Sequence, residues 1–181
     1  MPTQTVQLGA FCHQVSKVYR IDRERVRALD GVTKEFPRGA LTVIAGPSGS
    51  GKSTLLRILA CVDRPDGGSL EIANQSVGDS GARERRRLRR YSIAFIFPDP
   101  IENLIEYLTA GDQLRLAARL RGQRISNDEI GEMLGSLGLR DRLDHTPHRL
   151  SGGEQQRVAI ACTMVAHPPF VVADEPTAEL D

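Results

Sequence analysis

Along the first forty positions apolar and polar residues alternate, most clearly from Phe11 to Tyr19 and from Val32 to Phe36. Gly31 and Pro37-Arg38-Gly39 mark turns, so the pattern predicts a small antiparallel sheet. Leu41-Thr42-Val43-Ile44-Ala45 is then continuously apolar apart from one threonine and predicts a short buried strand, and Thr54 to Ala60 predicts a helix. Arg64-Pro65-Asp66-Gly67-Gly68 is a turn, and Ser69 to Ile72 a further short strand. Ile93 to Phe97 is a compact apolar run of the kind buried in a parallel sheet. Pro98-Asp99-Pro100 stops it, because neither proline can donate to a ladder.

Helical spacing dominates the next stretch. Thr109 with Asp112 opens one helix, with Leu116 and Leu120 on a common face. Ser126 with Glu129 forms a capping box before Ile130, Met133, Leu134 and Leu137. Ser151 with Glu154 caps a third helix through Val158, Ala159, Ala161 and Cys162. Phe170 to Ala173 is a last buried strand, and it delivers Asp174 and Glu175 to its end. Strands alternating with helices, with the candidate chemistry at strand ends, predict an α/β fold whose site lies at the carboxyl edge of the sheet.

Composition narrows the picture only a little. A chain of 181 residues supports one domain with a real core. A net charge of +1 gives no global attraction to nucleic acid. No apolar run is long enough to cross a bilayer, and residues 1–10 lack the charged and apolar regions of a secretory signal. Cys12, Cys61 and Cys162 are far apart and show no metal-ligand spacing, which predicts reduced thiols in a cytosolic protein. His13, His145, His148 and His167 show no ligand spacing either and read as surface or loop residues. The run Arg83, Arg85, Arg86, Arg87, Arg89 and Arg90 reads as a solvated helix face, since no aromatic residues interleave with it to stack on bases.

The strongest chemical signal is Gly46-Pro47-Ser48-Gly49-Ser50-Gly51-Lys52-Ser53-Thr54, which fits the phosphate-loop pattern G-x-x-x-x-G-K-[ST] at every fixed position. Glycines let the backbone curl until successive N–H groups point at phosphate oxygens, and the helix N-terminus adds partial positive charge. Lys52 reaches the β- and γ-phosphates of a bound nucleotide, and the Ser53 hydroxyl is placed to ligate Mg²⁺. A second anion-binding arrangement follows at Leu150-Ser151-Gly152-Gly153-Glu154-Gln155-Gln156-Arg157, where a serine cap and two glycines meet a helix N-terminus.

With both motifs in this order the chain resembles the nucleotide-binding domain of ABC (ATP-binding cassette) proteins from about Phe11 to Asp181. The resemblance implies an α/β phosphate-loop NTPase core of the ABC type, an N-terminal antiparallel β subdomain and an inserted α-helical subdomain. Residues 1–181 would then be one ATP-binding domain, short at its C-terminus, with the core at about 1–97 and 151–181 and the helical part at about 98–150. It implies that Ser151, Gly152, Gly153 and Glu154 contact ATP held by a second copy, and that Gly46, Ser48 to Thr54 and Tyr19 bind the chain's own ATP. Tyr19 either stacks on adenine or packs on the sheet. Asp174 and Ser53 would hold Mg²⁺, and Glu175, followed by Pro176-Thr177, would polarise the attacking water. Ala178-Glu179-Leu180-Asp181 resembles the loop that crosses the dimer interface.

The implied function is the ATP-binding and hydrolysing subunit of an ABC transporter, working as a homodimer or paired subunit on a separate transmembrane permease. It would lie in the cytoplasm, peripheral to the inner face of the membrane. The context of Asp174-Glu175-Pro176-Thr177 and of Leu104 to Ala110 looks most like the lipoprotein-releasing and macrolide-export branch. Two departures support an alternative, a degenerate ATP-binding module with little turnover and a regulatory or assembly role. Pro98 stands where the family has a glutamine that contacts Mg²⁺ and the attacking water, and Asp99 can offer a carboxylate oxygen instead. Aligned on Asn103-Leu104-Ile105, the loop there is about two residues longer than usual. The family's histidine beyond the interface loop has no counterpart before Asp181. A role in DNA repair or translation ranks last, because no heptad run separates Lys52 from Ser151.

Overall fold

In a computed structural model of the chain, residues 8–22, 24–73, 75–77 and 80–178 are described. The chain divides into two compact units, Met1–Arg89 and Arg90–Asp181.

The first unit is built on a four-stranded sheet in the order β2-β1-β3-β4. Its strands β1 (Leu8–Ile21), β2 (Glu24–Pro37), β3 (Gly67–Ile72) and β4 (Gln75–Ser76) pair antiparallel throughout. Residues Phe11 to Tyr19 form strand as expected, but the buried positions of β1 are Ala10, Cys12 and Val15, an alternation broken by one residue. The register slips between Cys12 and Val15, where Gln14 takes the left-handed conformation (φ 52°) and makes a bulge. Gly68 fits against that bulge, since a Cβ there would come within 2.2 Å of the Gln14 carbonyl oxygen. Helix α1 (Lys52–Leu59) packs Leu55, Ile58 and Leu59 inward, and α2 (Ala82–Tyr91), within which the division between the units falls, buries only Leu88. The arginine run is thus a helix whose side chains face mostly outward, as expected of a solvated basic face.

One expectation fails here. Leu41 to Ala45 forms no strand among the described residues, and Leu41 and Val43 are 93% and 78% exposed. A parallel strand is buried by neighbours on both edges. The sheet of this unit is antiparallel and does not include the segment, so the apolar run has no ladder within it.

The second unit holds β5 (Ile93–Ile96) and β6 (Phe170–Ala173), paired parallel; β5 is largely buried as expected, whereas in β6 only Val172 is buried and Val171 is 38% exposed. Three helices share a core: α3 (Ala110–Leu120), α4 (Asn127–Ser136) and α5 (Gly152–Met164). Thr109, Ser126 and Ser151 each accept a hydrogen bond from the backbone N–H three residues on, so all three predicted helix starts are real caps. The inward face of α3 differs from the prediction. Ala110, Leu114 and Ala118 are buried, whereas Leu120 is 55% exposed. The small residues allow close approach: Gly111 N–H donates to the Leu143 carbonyl at 2.9 Å, and a Cβ on Gly111 would lie 3.0 Å from the Leu143 side chain. Leu114, Ile130, Leu134, Leu139, Val158 and Val165 complete the cluster.

Candidate functional site

The phosphate loop sits between β2 and α1 in sequence, and its shape is dictated by glycine. Gly49 and Gly51 have φ of 76° and 87°, a region side chains avoid. Gly51 is also the N-cap of α1, and a Cβ there would lie 2.3 Å from the Ala28 carbonyl oxygen. A Cβ on Gly46 would meet Ser50 Oγ at 3.0 Å. No side chain caps α1. The N–H groups of Lys52, Ser53 and Thr54 therefore open the helix without an intrahelical acceptor, while Leu55 N–H bonds Gly51 O at 2.9 Å. Lys52 Nζ donates to Gly46 O at 2.9 Å and Pro47 O at 2.8 Å, which brings the ammonium to the mouth of the loop. Orphan N–H donors and a lysine inside a glycine curl fit an anionic phosphate chain.

Tyr19, near the end of β1, is half-buried beside this loop. Its hydroxyl donates to Asp63 at 3.0 Å and lies within hydrogen-bonding reach of Thr54. Burial, foremost, raises the phenol above its usual pKa. Hydrogen bonds from Arg57 and Tyr19 hold the Asp63 carboxyl below the usual range, the guanidinium being the larger cause. The Lys17 ammonium stands 5.5 Å from the ring centroid. Asp63 was not singled out in the sequence, yet it joins Tyr19 to the last turn of α1 through Arg57 at 2.9 Å.

In the second unit Ser151 and Glu154 form a full capping box. Ser151 Oγ accepts from Glu154 N–H at 3.3 Å, and Glu154 accepts from Ser151 N–H at 2.8 Å. Arg142 donates to the other Glu154 oxygen at 2.8 Å. The backbone bond from Ser151, then Arg142, lowers the Glu154 pKa. Glu154 is thus spent on building the helix start, and the N–H groups of Gly152 and Gly153 are the donors left for an anion.

At the end of β6 the Asp174 carboxylate is buried (5% exposed), and its N–H bonds Ile96 O at 3.1 Å. Glu175 is exposed and left-handed (φ 46°), an unusual conformation for a non-glycine residue, inside a turn closed by Ala178 N–H on Glu175 O at 3.1 Å. Gln156, fully buried on α5, donates to Pro176 O at 3.0 Å and so ties that turn to the signature helix. The interface loop expected at residues 178–181 lies, beyond Ala178, outside the described residues.

The segment after β5 is held by two amides. Asn103 accepts from Phe97 N–H at 2.9 Å and donates to Phe97 O and Asp99 O, both at 3.1 Å. Buried Gln113 accepts from Ile105 N–H at 3.0 Å and donates to Ile105 O at 2.9 Å. One Asp99 oxygen accepts from Ile101 N–H at 2.9 Å and caps the short turn Pro100–Asn103. Pro98 and Asp99 are exposed.

As to a metal, no group of three or more His, Cys, Asp or Glu among the described residues could hold one alone. In the first unit Ser53 has an exposed hydroxyl and in the second Asp174 a buried carboxylate, each an oxygen donor of the kind taken by Mg²⁺, which binds few protein ligands and completes its shell with water and phosphate. The histidines gather into no site. His13, His148 and His167 are exposed, and His148 stands 3.9 Å from Glu106. Burial raises the thiols of Cys12 and Cys61 to about 11, and both are free.

Residues 29–178 match the family model described as ABC transporter. An uncharacterized ABC transporter ATP-binding protein of Thermotoga maritima is 43% identical over 92% of this chain and 71% of its own length. The lipoprotein-releasing system ATP-binding protein LolD 1 of Rhodopirellula baltica is 41% identical over 93% of this chain and 73% of its own. The macrolide export ATP-binding/permease protein MacB of Hyphomonas neptunium is 39% identical over 92% of this chain, which spans 26% of that protein. Among solved structures, a dimeric ATP-binding cassette in a post-hydrolysis state with ADP and Pi matches with TM-score 0.87 and 37% identity, covering 95% of this chain and 76% of that one. With the phosphate loop, the serine-capped signature helix and the paired strand-end carboxylates, these matches make the chain an ATP-binding domain of the ABC transporter family.

Proposed function

We propose that the chain is the ATP-hydrolysing subunit of an ABC transporter, and that two copies, or this chain and a paired subunit, close head to tail over ATP. The observation that carries the reading is the presence in one chain of two helix N-termini built for anions, one at Gly51-Lys52 and one at Ser151-Gly152-Gly153. In this reading each nucleotide's own loop supplies Lys52 and the N–H groups of Gly49 to Thr54, and the partner copy supplies the second helix start. Tyr19 faces the base, Ser53 and Asp174 hold Mg²⁺, and Glu175 orients and deprotonates the attacking water. When bound, the metal neutralises phosphate charge. Closure excludes bulk water, so fixed N–H dipoles and Lys52 act on the phosphates in a low dielectric.

The membrane partner is a separate permease, docked near the loop from Pro98 to Asn103 and the helices after it, where Ile101 is exposed. No helix among the described residues is long and apolar enough to cross a membrane. Peripheral attachment at the inner face of the membrane follows from this reading. The relatives named for lipoprotein release and macrolide export support that branch as the class of transporter.

Pro98 favours a second reading, a nucleotide-binding module of low turnover, because the side chain expected there would touch both metal and water. The Asp99 carboxylate is the substitute the first reading requires. Mg²⁺-dependent ATP hydrolysis of the chain and of Glu175→Gln separates the two. The first reading expects turnover that falls by about 10²–10⁴-fold in the variant. Absence of turnover together with ATP binding dependent on Lys52 establishes the second.

A further inference from the structure

Gln156 is completely buried on α5, about one and a half turns beyond Ser151. Its Nε2 donates to the Pro176 carbonyl at 3.0 Å, while its Oε1 is buried with no partner among the described residues. A buried acceptor without a partner is destabilising, and an apolar side chain of the same volume would avoid that loss. A glutamine at this position is therefore explained by what its N–H group does. The residue it grips directly follows Glu175, whose left-handed backbone lies in a turn of four residues. Its neighbour Gln155 donates in the other direction, to Leu150 O at 3.2 Å and Pro147 O at 3.0 Å, and so fixes the stem of the signature segment.

We propose that Gln156 is a positioning residue that couples the two ATP sites of a dimer, by tying the helix start that faces the partner's nucleotide to the turn that carries Glu175 for the chain's own. The inference rests on the head-to-tail arrangement proposed above. In that arrangement Ser151-Gly152-Gly153 and Glu175 of one chain serve different nucleotides. A shift of α5 on contacting one phosphate then moves Pro176 through this one part-buried hydrogen bond. Coupling of this kind is a difference in affinity between the first and second nucleotide bound.

The fold should tolerate removal of the tie. Val158, Ala161 and Val165 hold α5 in the core, and Pro176 is only half-buried, so water can take over its carbonyl. The test compares ATP-binding isotherms of the Glu175→Gln chain with those of the same chain carrying Gln156→Leu, with thermal midpoints measured alongside. The expected result is cooperative binding in the first and a Hill coefficient of one in the second, with half-saturation changed less than about threefold and the midpoint unchanged. In the otherwise unaltered chain, Gln156→Leu is expected to lower kcat about tenfold at constant KM, the pattern of a lost positioning effect. Gln156→Met, equally long and without an N–H group, must give the same loss, and it serves if the leucine variant unfolds. Cooperativity that persists in either folded variant overturns the proposal, as does its absence from the parent. Binding is read without hydrolysis, so a chain that does not turn over ATP contradicts the proposed activity and leaves this test intact.

Discussion

Gly51 is the position where the fewest alternatives exist. Its φ of 87° and the Ala28 carbonyl 2.3 Å from where a Cβ would stand exclude any side chain unless the loop moves. Gly51→Ala is therefore expected to disrupt ATP binding as severely as loss of Lys52 and to destabilise the unit by about 1–3 kcal/mol, read by calorimetric titration and thermal denaturation. Gly39 offers the contrast, with φ 73° and nothing within 4 Å of an added Cβ, so Gly39→Ala meets backbone strain alone and leaves nucleotide binding intact. Both glycines were legible in the sequence, Gly39 as part of a turn and Gly51 at a position that the phosphate-loop pattern fixes. The Ala28 carbonyl behind it belongs to a distant strand and leaves no local signal. The same holds for Asn103, Gln113 and Gln156, whose partners lie six, eight and twenty residues away.

Among the elements, those whose signal is local were legible. Helix starts at Thr109, Ser126 and Ser151 depend on a side chain and an N–H three residues on, so spacing alone identified them. The apolar run at Leu41 to Ala45 was misread because a strand exists only with a partner, and partners are not encoded locally. The face of α3 was misjudged because small residues, Ala110 and Ala118, set its closest approach, while Leu120 is exposed. Gln113→Leu tests the clamp on the segment after β5. It leaves the N–H and carbonyl of half-buried Ile105 unpaired and is expected to cost about 1–3 kcal/mol, measured by denaturant unfolding. Acid should act through the carboxylates that close these elements. Asp63 and Glu154 have folded pKa values below their ordinary 3.8 and 4.5, so their contribution is present above those values and lost as pH falls through the folded ones. The thermal midpoint is expected to decline below about pH 4.5 and to decline less in Arg142→Met, which removes one cause of the Glu154 shift.

For the molecule as a whole, the family and the α/β class were legible because two glycine-rich helix starts and a carboxylate pair occur in a fixed order. The tie from Gln156 to Pro176 within the second unit was not. In the proposed head-to-tail pair each chain is half of two sites, so one copy alone is not expected to hydrolyse ATP efficiently. The most direct test is the specific activity of Mg²⁺-dependent ATP hydrolysis as a function of chain concentration, at saturating ATP. Turnover per chain is expected to rise with concentration to a plateau and to disappear in Glu175→Gln. Turnover per chain that is independent of concentration down to the lowest measurable level, or that survives in Glu175→Gln, would contradict this reading.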